Sequence, residues 1–231
     1  AVDKLHAAGI PVMNMIGAPK HVEKAIEAGV DLICAQGGEG GGHTGDVATS
    51  ILIPKVVDFC KGKMSPLTGK PVMVVAAGGI FDGRGMAMAL SLGASAVWVG
   101  TRFVACEEAG APPRHKKAVV GAGYHDTLRT IIFTGRPMRV INNDYIKSWE
   151  DHRADEIKEL TSKGKLPVYF DMEQRKKAGK DELTIGQVQP LLMGAAAGAI
   201  SEVQPAAQIM SEMVSGAIAS LRGVTAQISK L

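Results

Sequence analysis

Four short apolar runs, separated by helix-like segments, constrain the fold of this 231-residue chain more than any other feature. The runs cover residues 12–16, 30–34, 71–80 and 94–103. Helical periodicity fills the segments between them, and Gly29 and Gly93 stand where two of those helices would end. Strands that alternate with helices at this spacing predict right-handed crossovers and a parallel sheet. We therefore expect an α/β fold.

The number of strands is about half of what a closed parallel barrel requires. If these are the last four βα units of a barrel, the first four are absent from this sequence. The chain has no initiator methionine and opens on what looks like the end of a helix. We expect a fragment, with half a barrel in residues 1–105 and a mainly helical region packed on it in residues 106–231. Helices are predicted at 114–130, 148–160, 171–177 and 201–222.

The composition favours a soluble protein of the cytoplasm. A net charge of +3 without a basic, aromatic stripe gives no indication of nucleic acid binding. The longest apolar stretch, residues 191–200, has roughly half the length needed to span a membrane. Because Cys34, Cys60 and Cys106 are far apart and odd in number, we predict neither a disulfide framework nor a metal site.

The second apolar run continues into a glycine-rich loop, AQGGEGGGHTG, at residues 35–45. Glycine tolerates positive φ and lets a ligand approach the backbone closely. Histidine is the side chain most suited to proton transfer near neutral pH, which makes His43 the candidate catalytic residue. The alternative is a surface turn with an incidental histidine.

Two further strand ends carry the pairs Gly78–Gly79 and Gly100–Thr101. Ligands of parallel α/β folds bind at the carboxyl ends of the strands. Freed backbone N–H groups, a helix N-terminus after Gly79 and the Thr101 hydroxyl would together hold a phosphate. A tight strand-to-helix turn explains the first pair equally well. The following DGRG does not have the spacing of a dinucleotide fingerprint.

The glycine loop and the stretch PVMVVAAGGIFDGRGMAMALSLGASAVWVGTRF, residues 71–103, together resemble the nitronate monooxygenase family, formerly called 2-nitropropane dioxygenases. The later segments TGRPMRVINN and MGAAAGAI resemble its fungal-type members. The resemblance implies an FMN-dependent (β/α)8 TIM barrel whose first part this chain lacks. There are two departures. Gly40 stands where many members have alanine, and Ala195 stands where the family often has glutamine, so a polar contact at that second position is in question.

The resemblance also implies an activity and its residues. His43 would take the α-proton of a nitroalkane or stabilise the bound nitronate, which the flavin oxidises before it reacts with O2. The residues predicted to bind FMN are Gln36, Gly41, Gly78, Gly79, Trp98, Val99, Gly100 and Thr101. The expected partners are a nitroalkane or nitronate and O2, without nucleic acid or membrane, and homo-oligomerisation is left open.

Two alternatives remain at this point. Flavin-dependent enoyl-ACP reductases and quinone reductases share these motifs and would use NAD(P)H. The second alternative is that the chain is a catalytically incompetent remnant that serves only as a binding or structural fragment. Around the site, Glu39 is expected to be solvated rather than bound to His43. Arg102 faces either the phosphate or the barrel rim, and packing is favoured over a pocket role for Tyr124, Arg136 and Arg139.

Overall fold

A computed structural model describes residues 1–181 and 183–230 of the chain. The strands are β1 (Met13–Ile16), β2 (Leu32–Gln36), β3 (Gly42–His43), β4 (Met73–Ala77), β5 (Ala96–Trp98), β6 (Thr127–Thr130) and β7 (Met138–Ile141). The helices are α1 (Val2–His6), α2 (Val22–Glu27), α3 (Thr49–Cys60), α4 (Gly83–Ser91), α5 (Thr101–Val104), α6 (Pro113–Val120), α7 (Asp144–His152), α8 (Ala154–Ser162), α9 (Pro167–Lys177), α10 (Ile185–Val188) and α11 (Ala206–Ile228). Short 3-10 helices span Pro19–His21 and Ala195–Ala199.

Strands β1, β2, β4 and β5 form a parallel sheet in that order. Cys34 in the middle of β2 lies opposite Met15 on β1 and Val75 on β4. The predicted α/β fold with a parallel sheet is therefore confirmed. Strand β2 begins and ends two residues later than predicted, which makes Gln36 its last residue. Strand β5 stops at Trp98, so Gly100 and Thr101 lie beyond the sheet.

The core of the parallel sheet lies between the strands and the helices that follow them. Ile33 from β2, Leu52 from α3 and Val74 from β4 are buried together. The C-terminal α11 adds Ile209 and Met213 to the same cluster. A stretch outside the four βα units therefore completes this core.

Helix α4 has the ends that the sequence predicts. Asp82 caps it by accepting a hydrogen bond from the Gly85 N–H at 3.0 Å, and Gly93 follows it with φ +94°. Its start packs tightly on α11, because a Cβ at Gly83 would lie 2.5 Å from the Ala217 nitrogen. Only glycine permits that approach.

Strands β3, β7 and β6 form a separate antiparallel sheet, which the sequence did not predict. The expectation of a helix over 114–130 is wrong in its second part, since α6 ends at Val120 and β6 begins at Thr127. Pairing with β7 stabilises these residues as a strand. A second apolar cluster, which includes Ile132, Val140 and Trp149, supports this sheet.

No helix within the described ranges is long and apolar enough to cross a membrane.

Candidate functional site

The glycine loop, residues 35–45, is fixed first by its own backbone. The Gly37 N–H donates to the Ala77 carbonyl at 2.9 Å, and the Gly38 N–H donates to the Val47 carbonyl at 2.8 Å. A Cβ at Gly37 would lie 2.0 Å from Thr49 Oγ1. The lack of a side chain at Gly37 therefore serves the packing of chain against chain. Ligand access, which the sequence suggested as the reason for the glycines, is not the reason at this position.

Glu39 connects the loop to helix α3. Its carboxylate accepts hydrogen bonds from the Thr49 N–H at 3.0 and 3.1 Å and lies 2.8 Å from Thr49 Oγ1. The N-cap residue Ala48 has no capping side chain, so Glu39 takes that role at the helix end that favours negative charge. The expectation of a solvated Glu39 is wrong.

A cavity of about 190 Å³ lies at the carboxyl ends of β2, β4 and β5, and we call it the glycine cavity. Most of the residues predicted to bind FMN line it, namely Gln36, Gly41, Gly78, Gly79, Trp98, Gly100 and Thr101. Val99 does not, because it packs against the core of the parallel sheet. The structure thus brings together residues from three separate strand ends.

The glycine cavity offers hydrogen-bond donors but no cationic side chain among its lining residues. Within residues 1–181 and 183–230, the N–H groups of Gly79 and Gly100 donate no hydrogen bond. Thr101 Oγ1 accepts from the Gly194 N–H at 2.9 Å, which leaves the hydroxyl hydrogen free to donate. A Cβ at Gly100 would meet no atom within 4 Å, so that backbone is open to a ligand.

The helix start at this cavity is not the one predicted. The sequence suggested the helix after Gly79, but Asp82 occupies the N-terminal end of α4 and Gly83 packs against α11. The start of the short α5, at Gly100 and Thr101, lines the cavity instead.

His43 lies in a neighbouring cavity of about 470 Å³, which we call the histidine cavity. Gln36 lines both cavities, so the two adjoin at its side chain. That side chain is buried and donates from Nε2 to the Gly41 carbonyl at 3.2 Å. The charged and titratable residues around the histidine cavity are Lys20, His21, His43, Asp46, Arg129 and Arg136. Cations therefore outnumber the single carboxylate.

The antiparallel sheet positions His43. Residue 43 lies opposite Met138 on β7, and its Nε2 is 2.9 Å from Thr134 Oγ1. Thr134 begins the TGRP turn between β6 and β7, where Gly135 has φ +70°. The sequence does not predict this contact with the histidine, because 91 residues separate the two side chains.

Two arginines face each other across β6 and β7. Arg129 lies opposite Arg139, and burial followed by the charge of Arg129 lowers the pKa of Arg139. Arg139 donates from Nε and Nη2 to the Gly38 carbonyl at 3.1 and 2.9 Å, which fixes the glycine loop. The Nε of Arg129 is buried and has no partner among the described residues. Positive charge is thus concentrated beside His43.

The remaining candidates lie outside the histidine cavity. Arg102 is buried and donates to the Glu202 carbonyl at 2.8 Å and to Gln204 Oε1, and it lines neither the glycine cavity nor the histidine cavity. Tyr124 is exposed and borders a third cavity together with Glu39 and Phe81.

A family model described as nitronate monooxygenase matches residues 1–216. A probable nitronate monooxygenase of Staphylococcus saprophyticus is 33% identical over 217 residues, which is 86% of this chain and 58% of that protein. The (3aS,4S,5R,7aS)-5-hydroxy-7a-methyl-1-oxo-octahydro-1H-indene-4-carboxyl-CoA dehydrogenase of Rhodococcus jostii is 44% identical over 149 residues, 64% of this chain and 39% of that protein. The chain thus spans well under two thirds of these curated relatives.

Two solved structures have folds similar to that of this chain. FabK from Thermotoga maritima superposes with a TM-score of 0.76 at 29% identity, over 98% of this chain and 67% of that one. Nitroalkane oxidase from Streptomyces ansochromogenes gives a TM-score of 0.72 at 26% identity, over 96% of this chain and 62% of that one. The parallel sheet is therefore part of a TIM-barrel-like fold.

Proposed function

Because the chain belongs to the nitronate monooxygenase family, whose members are oxidoreductases, we propose that it catalyses the flavin-dependent oxidative denitrification of alkyl nitronates and nitroalkanes with O2. FMN as the flavin, a (β/α)8 barrel completed by strands outside these residues, and a fungal-type assignment are parts of this proposal. In this proposal, residues 1–105 supply the FMN-binding and catalytic loops, and residues 106–231 cover these loops and contribute Arg129 and Thr134.

One observation carries the proposal. His43 lies in a cavity rich in cations, and Gln36 joins that cavity to a second one built from glycine backbone. A nitronate is an anion, and opposite charges at close range attract it. A base beside an anion site, next to a space for a second ligand, suits proton removal followed by electron transfer.

The glycine cavity fits the phosphate end of FMN. Among the residues that the structure describes, the N–H groups of Gly79 and Gly100 have no acceptor, and the Thr101 hydroxyl can donate. Backbone donors of this kind hold phosphate oxygens in parallel α/β folds. The Glu39 carboxylate also lines this cavity, but Thr49 binds it at the start of α3, which reduces its repulsion of an anion. When bound, FMN supplies the electron acceptor that oxidises the nitronate and then reduces O2.

The side chains of the histidine cavity would divide the remaining work. His43 accepts the α-proton of a neutral nitroalkane, and the electron pair of the broken C–H bond moves into the nitro group to give the nitronate. Arg129 and Arg136 line the same cavity and favour that anion over the neutral substrate. A nitronate supplied as such bypasses the proton transfer.

The test is to replace His43 and compare the two substrate forms. We expect purified wild type to show a flavin spectrum, to consume O2 and to release nitrite. His43→Asn should lower kcat/KM for a neutral nitroalkane about 100-fold or more, the lower end of the contribution of a general base, and affect the preformed nitronate far less. His152→Asn, an exposed histidine of α7, is the matched control. Equal losses on both substrates would contradict the assigned role of His43.

The likeness to FabK favours a second candidate, an NAD(P)H-dependent flavin reductase of the enoyl-ACP or quinone type. Oxidation of NAD(P)H without any nitronate would support it and count against the first proposal. A chain that retains no flavin and oxidises neither substrate would instead act only as a binding or structural fragment. Gel filtration of the same sample reports whether copies of the chain associate.

A further inference from the structure

We propose that Thr134 is a positioning residue for His43: it fixes the neutral imidazole with its hydrogen on Nε2, so that Nδ1 receives the substrate proton. The inference rests on the proposed function in taking His43 as the base. It adds a residue from the turn between β6 and β7, outside the glycine loop, to the catalytic machinery. It also assigns the two ring nitrogens to different tasks.

The hydrogen bonds of the Thr134 hydroxyl carry the assignment. Thr134 Oγ1 lies 3.2 Å from the Arg136 carbonyl oxygen, 3.4 Å from the Arg136 nitrogen and 2.9 Å from His43 Nε2. A hydroxyl has one hydrogen and two acceptor lone pairs. If its hydrogen goes to the Arg136 carbonyl, the lone pairs accept from the Arg136 N–H and from the Nε2–H, and all three contacts are hydrogen bonds.

The opposite arrangement satisfies fewer groups. If the hydroxyl donated to Nε2, it would retain the bond from the Arg136 N–H but lose the one to the Arg136 carbonyl. The geometry therefore favours hydrogen on Nε2. Within residues 1–181 and 183–230, Nδ1 of His43 has no hydrogen-bond partner, and the ring is exposed in the histidine cavity. Nδ1 is then the nitrogen with a free lone pair.

The backbone holds these two side chains in register. The Thr44 N–H donates to the Pro137 carbonyl at 3.2 Å, and His43 pairs with Met138 on β7. The turn itself closes through the Gly135 N–H, which donates to the Ile131 carbonyl at 2.8 Å. The glycine loop is thus joined by backbone pairing to the strand that follows the turn.

The resulting step balances. The α-carbon of a nitroalkane loses its proton to Nδ1, the C–H electron pair moves into the nitro group, and the products are a nitronate anion and an imidazolium. The imidazolium keeps its Nε2–H bond to Thr134 throughout. No rotation of the ring is needed between proton transfer and proton release.

The first test reads the tautomer without turnover. Wild-type protein labelled with 15N in its six histidines is studied by two-bond 1H–15N correlation at a pH where the ring of residue 43 is neutral, and His43→Asn assigns its signals. We expect a pyrrole-type Nε2 and a pyridine-type Nδ1 in wild type, and averaging of the two in Thr134→Val. A wild-type ring protonated on Nδ1 would overturn the proposal. Because this readout needs no activity, it stays distinct from a failure of the proposed function.

The second test uses kinetics. Thr134→Val should lower kcat/KM for a neutral nitroalkane about tenfold, as expected for the loss of one orienting hydrogen bond, and leave the preformed nitronate within about twofold. Thr134→Ser retains the hydroxyl and should restore most of the activity, which a purely steric role would not predict. Thr225→Val, on the exposed face of α11, is the matched control. Equal losses on both substrates, or no rescue by serine, would overturn the proposal.

Discussion

The two ends of the glycine loop are held by different kinds of contact. Its first half, at Gly37 and Gly38, is held by backbone hydrogen bonds to Ala77 and Val47 and by tight packing on Thr49. Its second half, at His43, is held by the antiparallel sheet through ladder pairing and through the Thr134 hydroxyl. The first set of contacts comes from the βα units themselves, although Arg139 of β7 also donates to the Gly38 carbonyl. The second set comes from a stretch about 90 residues away in sequence.

This difference separates stability from function. Because the backbone of the first half is tightly packed, a side chain added there should destabilise the parallel sheet. Side-chain contacts at an exposed position contribute little net stability, so a change at His43 should alter the chemistry and leave the fold intact. The expected loss of stability therefore decreases from Gly37 to the side chains around His43.

The largest effect should come from Gly37→Ala. A Cβ at residue 37 would lie 2.0 Å from Thr49 Oγ1 and 2.6 Å from the Thr49 Cα, so either α3 or the loop must move. We expect a loss of about 3 kcal/mol or more in the free energy of unfolding, as for severe overpacking in a core. Chemical denaturation followed by circular dichroism measures it.

The matched control is Gly100→Ala, at a glycine that lines the glycine cavity. A Cβ at residue 100 meets no atom within 4 Å, and φ there is −101°, so alanine should change the free energy of unfolding by less than about 0.5 kcal/mol. Its effect should fall on flavin retention, since the added methyl group occupies the space of a ligand. Similar stability losses in the two variants would break the distinction between packing glycines and ligand-facing glycines.

An intermediate effect should come from acid, through Asp31 at the opposite end of the parallel sheet. Burial raises the pKa of this carboxyl, but hydrogen bonds from the Ser65 hydroxyl, the Val12 N–H and His6 more than offset burial and hold the pKa at about 2. A depressed pKa stabilises the fold fully above the unfolded value of 3.8, and the contribution is lost as the pH falls toward 2. With the side chain only 3% exposed, that contribution is about 2 kcal/mol.

Asp31→Asn checks this account. The variant should lose about 2 kcal/mol at neutral pH and show a flatter decline in stability between about pH 4 and pH 2, because the titrating group is gone. The control is Asp58→Asn, an exposed carboxylate whose pKa is lowered by Lys61 and whose loss should leave stability unchanged. An unchanged acid limb in Asp31→Asn would show that other carboxylates govern acid unfolding.

The same division explains how much the sequence could predict. The parallel strands, the cap at Asp82 and the gathering of Gln36, Gly79 and Thr101 at one edge follow from local periodicity and from the rule that parallel strand ends meet. Strand β6 does not follow, because its four residues, TLRT, have no strong alternation and pair with β7 only in the folded chain.

Contacts between residues far apart in the sequence could not be predicted either. The capping of α3 by Glu39 and the contact between Thr134 and His43 join segments that no local pattern connects. The signs present in the sequence were a helix start without a capping side chain, at Ala48, and the turn residues TGRP. The first sign indicated a helix end that needs a hydrogen-bond acceptor, and the second indicated a bend in the chain. Neither sign identified the partner residue.

The smallest loss of stability should come from Arg129→Gln, in the histidine cavity. Arg129 lies directly opposite Arg139, and like charges in that position repel each other. Its Nε is buried without a partner among the described residues, so glutamine removes an unfavourable group as well. We expect the free energy of unfolding to stay the same or to rise by up to about 1 kcal/mol. For a nitronate, KM should rise about threefold to tenfold with kcat little changed, since the lost attraction acts on the bound anion.

Salt separates this electrostatic effect from a structural one. Added salt screens attraction between exposed charges, so kcat/KM of wild type for a nitronate should fall with ionic strength, and the fall should be shallower in Arg129→Gln. Arg222→Gln, which removes an exposed cation of α11 that does not line the histidine cavity, should match the wild-type slope. A marked loss of stability in Arg129→Gln would mean that the arginine holds the antiparallel sheet together. The distinction between contacts that stabilise the fold and contacts that serve the chemistry would then not hold for Arg129.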